Sequence, residues 1–265
     1  MKFCREHAPI FGGAEPVASV ALVRVFESTA FAPPASGRAL QAVEQLLIEH
    51  HLPYEIAYAD RLSGIDRYRA VILADQMCLT DRQCEALIDY VRQGGSLIAT
   101  DGSGDCDEHF VPRMENGLAA VSGHPSVYRI GELELDQRGP SAGAAGHGLV
   151  RAPVNPGPLL DAIDAAWPVA ERPVHVAPAA GTGSALARLP DGSLVLHVLH
   201  YDWSRPAPPV TLTWSAGRPE RAAVIHSPWP AEVEADDRTC TLVDWQVHVA
   251  VQWSAAGGRP ATPTT

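Results

Sequence analysis

Lysine is almost missing from this chain. Lys2 is the only one in 265 residues, and every other basic side chain is arginine. With 20 basic against 31 acidic residues the formal net charge is −11, which argues against nucleic acid or an anionic membrane as partner. No apolar run approaches the length of a membrane span. The opening MKFCREHAPIFGG carries charge where a secretory leader needs its apolar core. Cysteine is scarce and odd in number. Cys4, Cys78, Cys84, Cys106 and Cys240 are scattered and contain no CxxC pair. That pattern implies no disulfide framework and no structural zinc, and it suits reduced thiols in a cytoplasm. A phosphate loop is lacking too, because Gly181-x-Gly183 leads into a strand pattern instead of a helix. No cofactor and no metal are expected.

What is present is a globular composition, 46% hydrophobic, long enough for one large or two ordinary domains. The most informative stretch is Tyr68–Gly104, YRAVILADQMCLTDRQCEALIDYVRQGGSLIATDGSG. Ala70–Ala74 is continuously apolar, the pattern of a strand covered on both faces. Thr80 and Gln83 have capping-box spacing, so a helix is expected over Thr80–Gln93. Its apolar positions Cys84, Leu87, Ile88 and Val91 make one stripe. Gly94-Gly95 supplies positions that tolerate positive φ, and Ser96–Thr100 is a second buried strand. Strand, helix and strand of this length form a right-handed parallel crossover. In such sheets chemistry sits beyond the carboxyl ends of the strands, here Asp75-Gln76 and the loop from Asp101.

Upstream, Val17–Phe26 reads as the first strand and Gly37–His51 as a helix that turns Leu40, Val43, Leu47 and Ile48 to the sheet. Pro53 ends that helix, and Tyr54–Tyr58 follows as a short strand. Arg61–Arg67 fits one turn of helix. Residues 1–135 thus read as a doubly wound, mostly parallel α/β domain of flavodoxin size. Residues 136–170 read as a linker dense in Gly, Pro and Ala, closed by a short helix over Pro158–Trp167. From 171 to 253 the texture is β. Ser184–Leu189 and Ser193–Leu199 flank the hairpin signal Pro190-Asp191-Gly192, and Val210–Trp214, Ala222–His226, Thr239–Val243 and Trp245–Val251 follow. Strands so spaced predict a small antiparallel β-sandwich. Residues 254–265 have the composition of a disordered tail.

The run RYRAVILADQMCLTDRQCEALIDYVRQGGSLIATDGSG resembles the trimerisation domain of β-galactosidases and related glycoside hydrolases, which has a class I glutamine-amidotransferase-like fold. REHAPIFGGAEPVASVALVR resembles the start of that domain, and HHLPYEIAYADRLSGIDRY its second strand and following turn. SLVLHVLHYDW resembles a hairpin strand of the C-terminal domain of the same proteins, although His200 stands where asparagine is usual. The resemblance covers about residues 3 to 250. It implies an accessory region that packs on a (β/α)8 barrel and builds the oligomer, its own amidotransferase chemistry lost. The catalytic carboxylates of those hydrolases lie on the barrel, about 250 residues in size, which this sequence does not contain. The implied partners are a second copy of the chain or a glycosidase barrel. Phe3, Ile10 and Phe11 are the segment expected to lie on such a barrel.

Two readings stand for the loop Asp101–Glu108, DGSGDCDE. One takes Ser103 or Cys106 as nucleophile, with Asp101 and Asp105 beside it, in a stand-alone hydrolase or amidotransferase. The other takes the loop as a structural turn. A nucleophile elbow needs glycines two residues to either side of the nucleophile. Ser103 has them immediately adjacent, and Cys106 has Glu108 on the far side. Acidic neighbours also oppose a thiolate. Asp75 and Gln76 are candidate ligand-binding residues. So are His200 and Asp202, which share a strand face by period two; His197 points to the other. Cys78 and Cys84 read as small buried apolar residues. Tyr201, Trp203, Trp214, Trp229, Trp245 and Trp253 could build a carbohydrate-binding platform or fill a sandwich core.

Overall fold

Strand alternates with helix to residue 129, and strand follows strand from residue 175, in a computed structural model that describes residues 2–31, 33–135, 152–179, 181–202, 205–215, 224–229, 231–236 and 238–253. The first elements are α1 (Lys2–Glu6), β1 (Glu15–Pro16), β2 (Val20–Arg24), α2 (Phe26–Phe31), α3 (Pro33–Glu49) and β3 (Tyr54–Tyr58). Then come β4 (Ala70–Leu73), α4 (Asp81–Arg92), β5 (Ser96–Ala99), β6 (Val127–Arg129) and α5 (Gly157–Ala166). The rest is β7 (His175–Val176), β8 (Thr182–Arg188), β9 (Leu194–His200), β10 (Val210–Thr213), β11 (Val224–His226), β12 (Glu232–Ala235), β13 (Thr239–Val243) and β14 (His248–Trp253). The expected loop segment 136–151, Trp203, residues 222 and 223 of an expected strand, the tail 254–265 and the Phe3 side chain lie outside the described residues.

Contacts divide the chain into two units. One holds Ser19–Leu47 and Tyr54–Pro168, the other Met1–Ala18, Ile48–Pro53 and Val169–Thr265. The expected linear order of domains is therefore interleaved, with two early segments joining the second unit.

The α/β unit is a five-stranded sheet of order β3-β2-β4-β5-β6, parallel throughout. Val20–Val23, Ala70–Leu73 and Leu97–Ala99 are fully buried, as apolar runs covered on both faces must be. From β2 the chain steps one way to β3, and from β4 it steps the other way to β5. Right-handed crossovers then put α3 and α4 on opposite faces, which makes the sheet doubly wound. The first strand is shorter than its apolar run suggests. It stops at Arg24, and Phe26, 78% exposed, opens α2. Prolines preset the first turn of α3, which begins four residues earlier than expected. The Arg61–Arg67 segment holds two short 3-10 turns, Ala59–Arg61 and Ile65–Arg67.

Both halves of the capping box at α4 are made: Gln83 N–H donates to Thr80 Oγ1 at 3.1 Å, and Thr80 N–H to Gln83 Oε1 at 2.8 Å. Cys84, Leu87 and Val91 are buried as the stripe predicts. Tyr90 is buried with them, while Ile88 is only half-buried.

The β unit is a two-sheet sandwich. One sheet runs β1-β8-β9-β14-β11 and the other β12-β13-β10-β7, both antiparallel. The β8–β9 hairpin turns where expected: Gly192 takes φ 83°, and Asp191 Oδ1 accepts hydrogen bonds from Ser193 N–H and Oγ. Leu186, Leu196, Val198, Leu212, Leu242, Val249 and Val251 fill the core with Trp214, Trp245 and Trp253. Trp214 and Trp253 meet edge to face at 5.8 Å, and the Trp245 indole donates to Pro208 O at 2.7 Å. Those three tryptophans are core residues, while Trp229 and Tyr201 are exposed.

One expectation is overturned here. Ile10, expected to face a barrel, is 3% exposed and packs with Leu189, Val195 and Ala250 of its own unit. Its short 3-10 turn, Ala8–Ile10, folds it down onto the sheet. No helix among the described residues is long and apolar enough to cross a membrane.

Candidate functional site

In an open parallel sheet a ligand belongs in the crevice where the strand order reverses, here between the carboxyl ends of β2 and β4. Gln76, a candidate ligand-binding residue, occupies that place and is fully buried. Its Oε1 accepts Val25 N–H at 2.8 Å. Its Nε2 donates to Ser36 Oγ at 3.0 Å and Ala74 O at 2.6 Å. One step on, Ser28 Oγ accepts Cys78 N–H at 2.9 Å and lies 3.2 Å from Cys78 O. The crevice is thus closed by the chain's own amide and hydroxyl groups. A buried primary amide with four bonding positions must find partners inside, and Gln76 finds them just past the ends of β2 and β4 and in α3.

Asp75 sits beside it at φ 50°, a strained setting for a non-glycine residue. Thr100 holds it from both ends. The Thr100 hydroxyl donates to Asp75 Oδ1 at 2.7 Å and accepts Asp75 N–H at 2.8 Å. Burial pushes the Asp75 carboxyl above its usual range, and the Thr100 hydrogen bond works against that rise.

The loop Asp101–Glu108 is built as a brace. Ser103 is completely buried, and its Oγ points back under the sheet to donate to Leu73 O at 3.1 Å. Its carbonyl accepts from Asn116 Nδ2 at 2.9 Å, which also reaches Asp105 Oδ1 at 2.7 Å. Cys106 bridges Cys78 on one side and Pro112 on the other, with Cys106 N–H donating to Met77 O at 3.0 Å and Leu79 N–H to Cys106 O at 3.1 Å. Burial, then Asp105 and Asp107, push its thiol pKa up, the wrong direction for a nucleophile at neutral pH. Asp107 caps the next turn through His109 N–H and Val111 N–H. Arg113 ties it down through Leu79 O and Asp81, both at 2.7 Å. Asp101 and Asp105 are exposed on its rim.

Asp75, Gln76, Asp101, Ser103, Asp105 and Cys106 therefore belong to one neighbourhood, whereas His200 and Asp202 lie in the β unit. His200 ends β9, buried, with its ring edge-on to Trp245 at 6.0 Å. Asp202 follows the strand and pairs with Arg205 at 3.5 Å. Gly181 adjoins both: a Cβ there would meet Asp202 Cβ at 2.9 Å and His200 Nε2 at 3.6 Å. Sequence reasoning missed Thr100, Asn116 and Arg113, whose work is to position the loop. The Asn116-Gly117 pair was a legible turn signal. Among the described residues no group of three or more His, Cys, Asp or Glu side chains is arranged to hold a metal ion.

These thiol environments predict a simple titration. A disulfide reagent at neutral pH should modify exposed Cys4 fast, while buried Cys78, Cys84, Cys106 and Cys240 should react only after denaturation. Rapid native modification of Cys106 would show that the brace opens.

No family model matches the chain, and no curated protein is similar to it at a significant level. Solved structures are. The GH42 β-galactosidase Gan42B of G. stearothermophilus is 13% identical with a TM-score of 0.59, over 90% of this chain and 40% of that one. The α-L-fucosidase isoenzyme 2 of Paenibacillus thiaminolyticus is 12% identical with a TM-score of 0.59, over 96% of this chain and 51% of that one. The β-galactosidase of Bacillus circulans sp. alkalophilus is 13% identical with a TM-score of 0.58, over 91% and 42%. At such identities the likeness is one of fold, and this chain spans about two fifths to one half of the length of those hydrolases.

Proposed function

We propose that this chain is an accessory, non-catalytic region of a glycoside-hydrolase-like protein in carbohydrate metabolism: an amidotransferase-like scaffold without its chemistry. Its work on this reading is to build a homo-oligomer or to dock a glycosidase barrel. The observation that carries the reading is the closed switch point. Gln76, Ser28 and Ser36 fill with their own hydrogen bonds the place where a doubly wound sheet would hold its ligand. The most nucleophile-like side chain of the loop, Ser103, is bonded beneath the sheet. The fold likeness to β-galactosidases and an α-L-fucosidase supports the hydrolase connection, since more than two fifths of each of those chains lies outside the match. The free thiols suit a cytoplasmic setting.

The test is a panel of nitrophenyl glycosides with the purified chain. Glycoside hydrolysis needs two carboxylates held about 5–9 Å apart across the scissile bond, and no turnover above buffer is expected. Robust hydrolysis abolished by Asp101→Asn or Asp105→Asn would overturn the reading in favour of a stand-alone enzyme. Light scattering at micromolar concentration should show a dimer or larger species, or binding to an added glycosidase barrel.

A further inference from the structure

The outer face of the five-stranded β sheet carries a row of histidines that neither the sandwich core nor the loop of the α/β unit uses. Leu194, Leu196 and Val198 of β9 point into the core, so Val195 and His197 point away from it. Register sets Ala250 of β14 opposite His197 and also opposite His226 of β11, and Gln252 opposite Val195. His197 Nδ1 and His248 Nε2 are 3.1 Å apart with their rings nearly parallel. His226 Nε2 is 3.3 Å from Gln252 Oε1.

Across this row lies the N-terminal segment. Ile10 sits on Val195, Leu189 and Ala250. The Phe11 ring stacks on His197 at 5.2 Å and approaches His248 at 6.0 Å. His7 meets His226 edge-on at 4.9 Å, and the Ile10 main chain lies close enough to the His197 ring to favour its charged form. Beyond it, β1 fixes the segment's far end on β8 through Glu15–Arg188 and Pro16–Ala187. One end is thus sewn into the sheet, and the other rests on stacked imidazoles.

We propose that the segment from His7 to Gly13 is an acid-released strap, closed over the outer sheet face at neutral pH and lifted on acidification to uncover Leu189, Val195 and Ala250. Stacked imidazoles within hydrogen-bond distance hold together when at most one of the pair is charged. Two imidazolium ions at this separation repel, and both lose the acceptor nitrogen that the pair shares. The titratable and polar groups facing the row are His7 from the strap, the three sheet histidines themselves and Gln252. Glu6 is the carboxylate next to His7, and Glu15 with Arg188 lies at the anchored end.

The net sign is set by burial, which outweighs the Ile10 main chain at His197 and the Gln252 hydrogen bond at His226, both of which favour the charged ring, and lowers the proton affinity of all three histidines, His248 from 6.5 to about 4. A group depressed in the closed state stabilises it fully above its free value of 6.5, and that stability is lost as pH falls toward the depressed value. For His248 alone, closure at pH 5 should weaken by up to about 30-fold. His51 in the same unit, also lowered to about 4 by burial, is a second acid-sensitive site there, so the strap must be read against a strand of that unit that carries none of these histidines.

Hydrogen exchange of the full chain, corrected for intrinsic rates at pH 7 and pH 5, supplies that comparison. The peptide 7–13 should lose protection at least tenfold on acidification, while peptide 239–243 in the other sheet keeps its own. The triple variant His197→Gln, His226→Gln, His248→Gln should hold the strap equally well at both pH values. Equal protection of 7–13 at pH 7 and 5, or joint loss in both peptides, overturns the proposal. If the triple variant does not fold, NMR titration of the wild-type imidazoles decides. Midpoints below 6 that coincide with strap opening support it, and ordinary midpoints near 6.5 overturn it.

Discussion

Leu87→Ala should lower the unfolding free energy by about 2–5 kcal/mol, and Glu85→Ala, on the exposed side of the same helix, should change it by less than about 0.5 kcal/mol. Leu87 is completely buried in the stripe that α4 turns to the sheet, and its truncation leaves a cavity among side chains that cannot collapse into it. Glu85 projects into solvent. Urea unfolding of the two variants beside the parent reads the difference directly. Equal effects would mean that the helix is rotated from the position described. A smaller effect, about 1 kcal/mol, is expected from Thr80→Ala, because it removes one half of the capping box.

Gly95→Ala should be at least as damaging, for a steric reason. Gly94 and Gly95 close α4 with paired hydrogen bonds, Gly94 N–H to Val91 O and Gly95 N–H to Tyr90 O, each 3.0 Å. Only Gly94 uses positive φ, at 97°. Gly95 is required for space: a Cβ there would lie 2.2 Å from Cζ of Tyr90 and 2.3 Å from Cε2. The ring cannot step aside cheaply, since it is 3% exposed and its hydroxyl reaches Tyr68 O at 3.0 Å and Ser96 O at 3.3 Å. Displacing it forfeits an aromatic core residue, about 3–5 kcal/mol. A double-mutant cycle with Tyr90→Leu isolates the clash. Gly95→Ala should cost far less once the ring is gone, and an undiminished cost would assign the effect to the backbone.

These two helix ends show what could be read in advance. The cap, the stripe and the double glycine are local patterns, and all three stand in the structure. Even so, Tyr90 escaped the stripe, because burial of a tyrosine depends on whether two carbonyls from neighbouring strands meet its hydroxyl. β1 and β7 are two residues long, so no periodicity could announce them; they are strands only because β8 and β10 pair with them. The first strand was overextended because an apolar residue at its end, Phe26, is left in solvent. The candidate loop was found by its composition, but composition could not say that Ser103 turns inward to Leu73. That direction follows from the parallel strand beside it. The histidine row was invisible for the same reason, since His197, His226 and His248 become neighbours only through register.

The interleaving of the two units has a temporal side. During synthesis, Glu15 and Pro16 emerge early, yet their partners Ala187 and Arg188 follow only after about 170 further positions. The whole of the parallel sheet is made in the interval, and its contacts lie within a contiguous span broken only by Ile48–Pro53. Local contacts form quickly and distant ones wait. The α/β unit should therefore be able to settle while residues up to Ala18 are still unpaired, and the sandwich should complete itself after it, when β8 takes up a strand made before the parallel sheet.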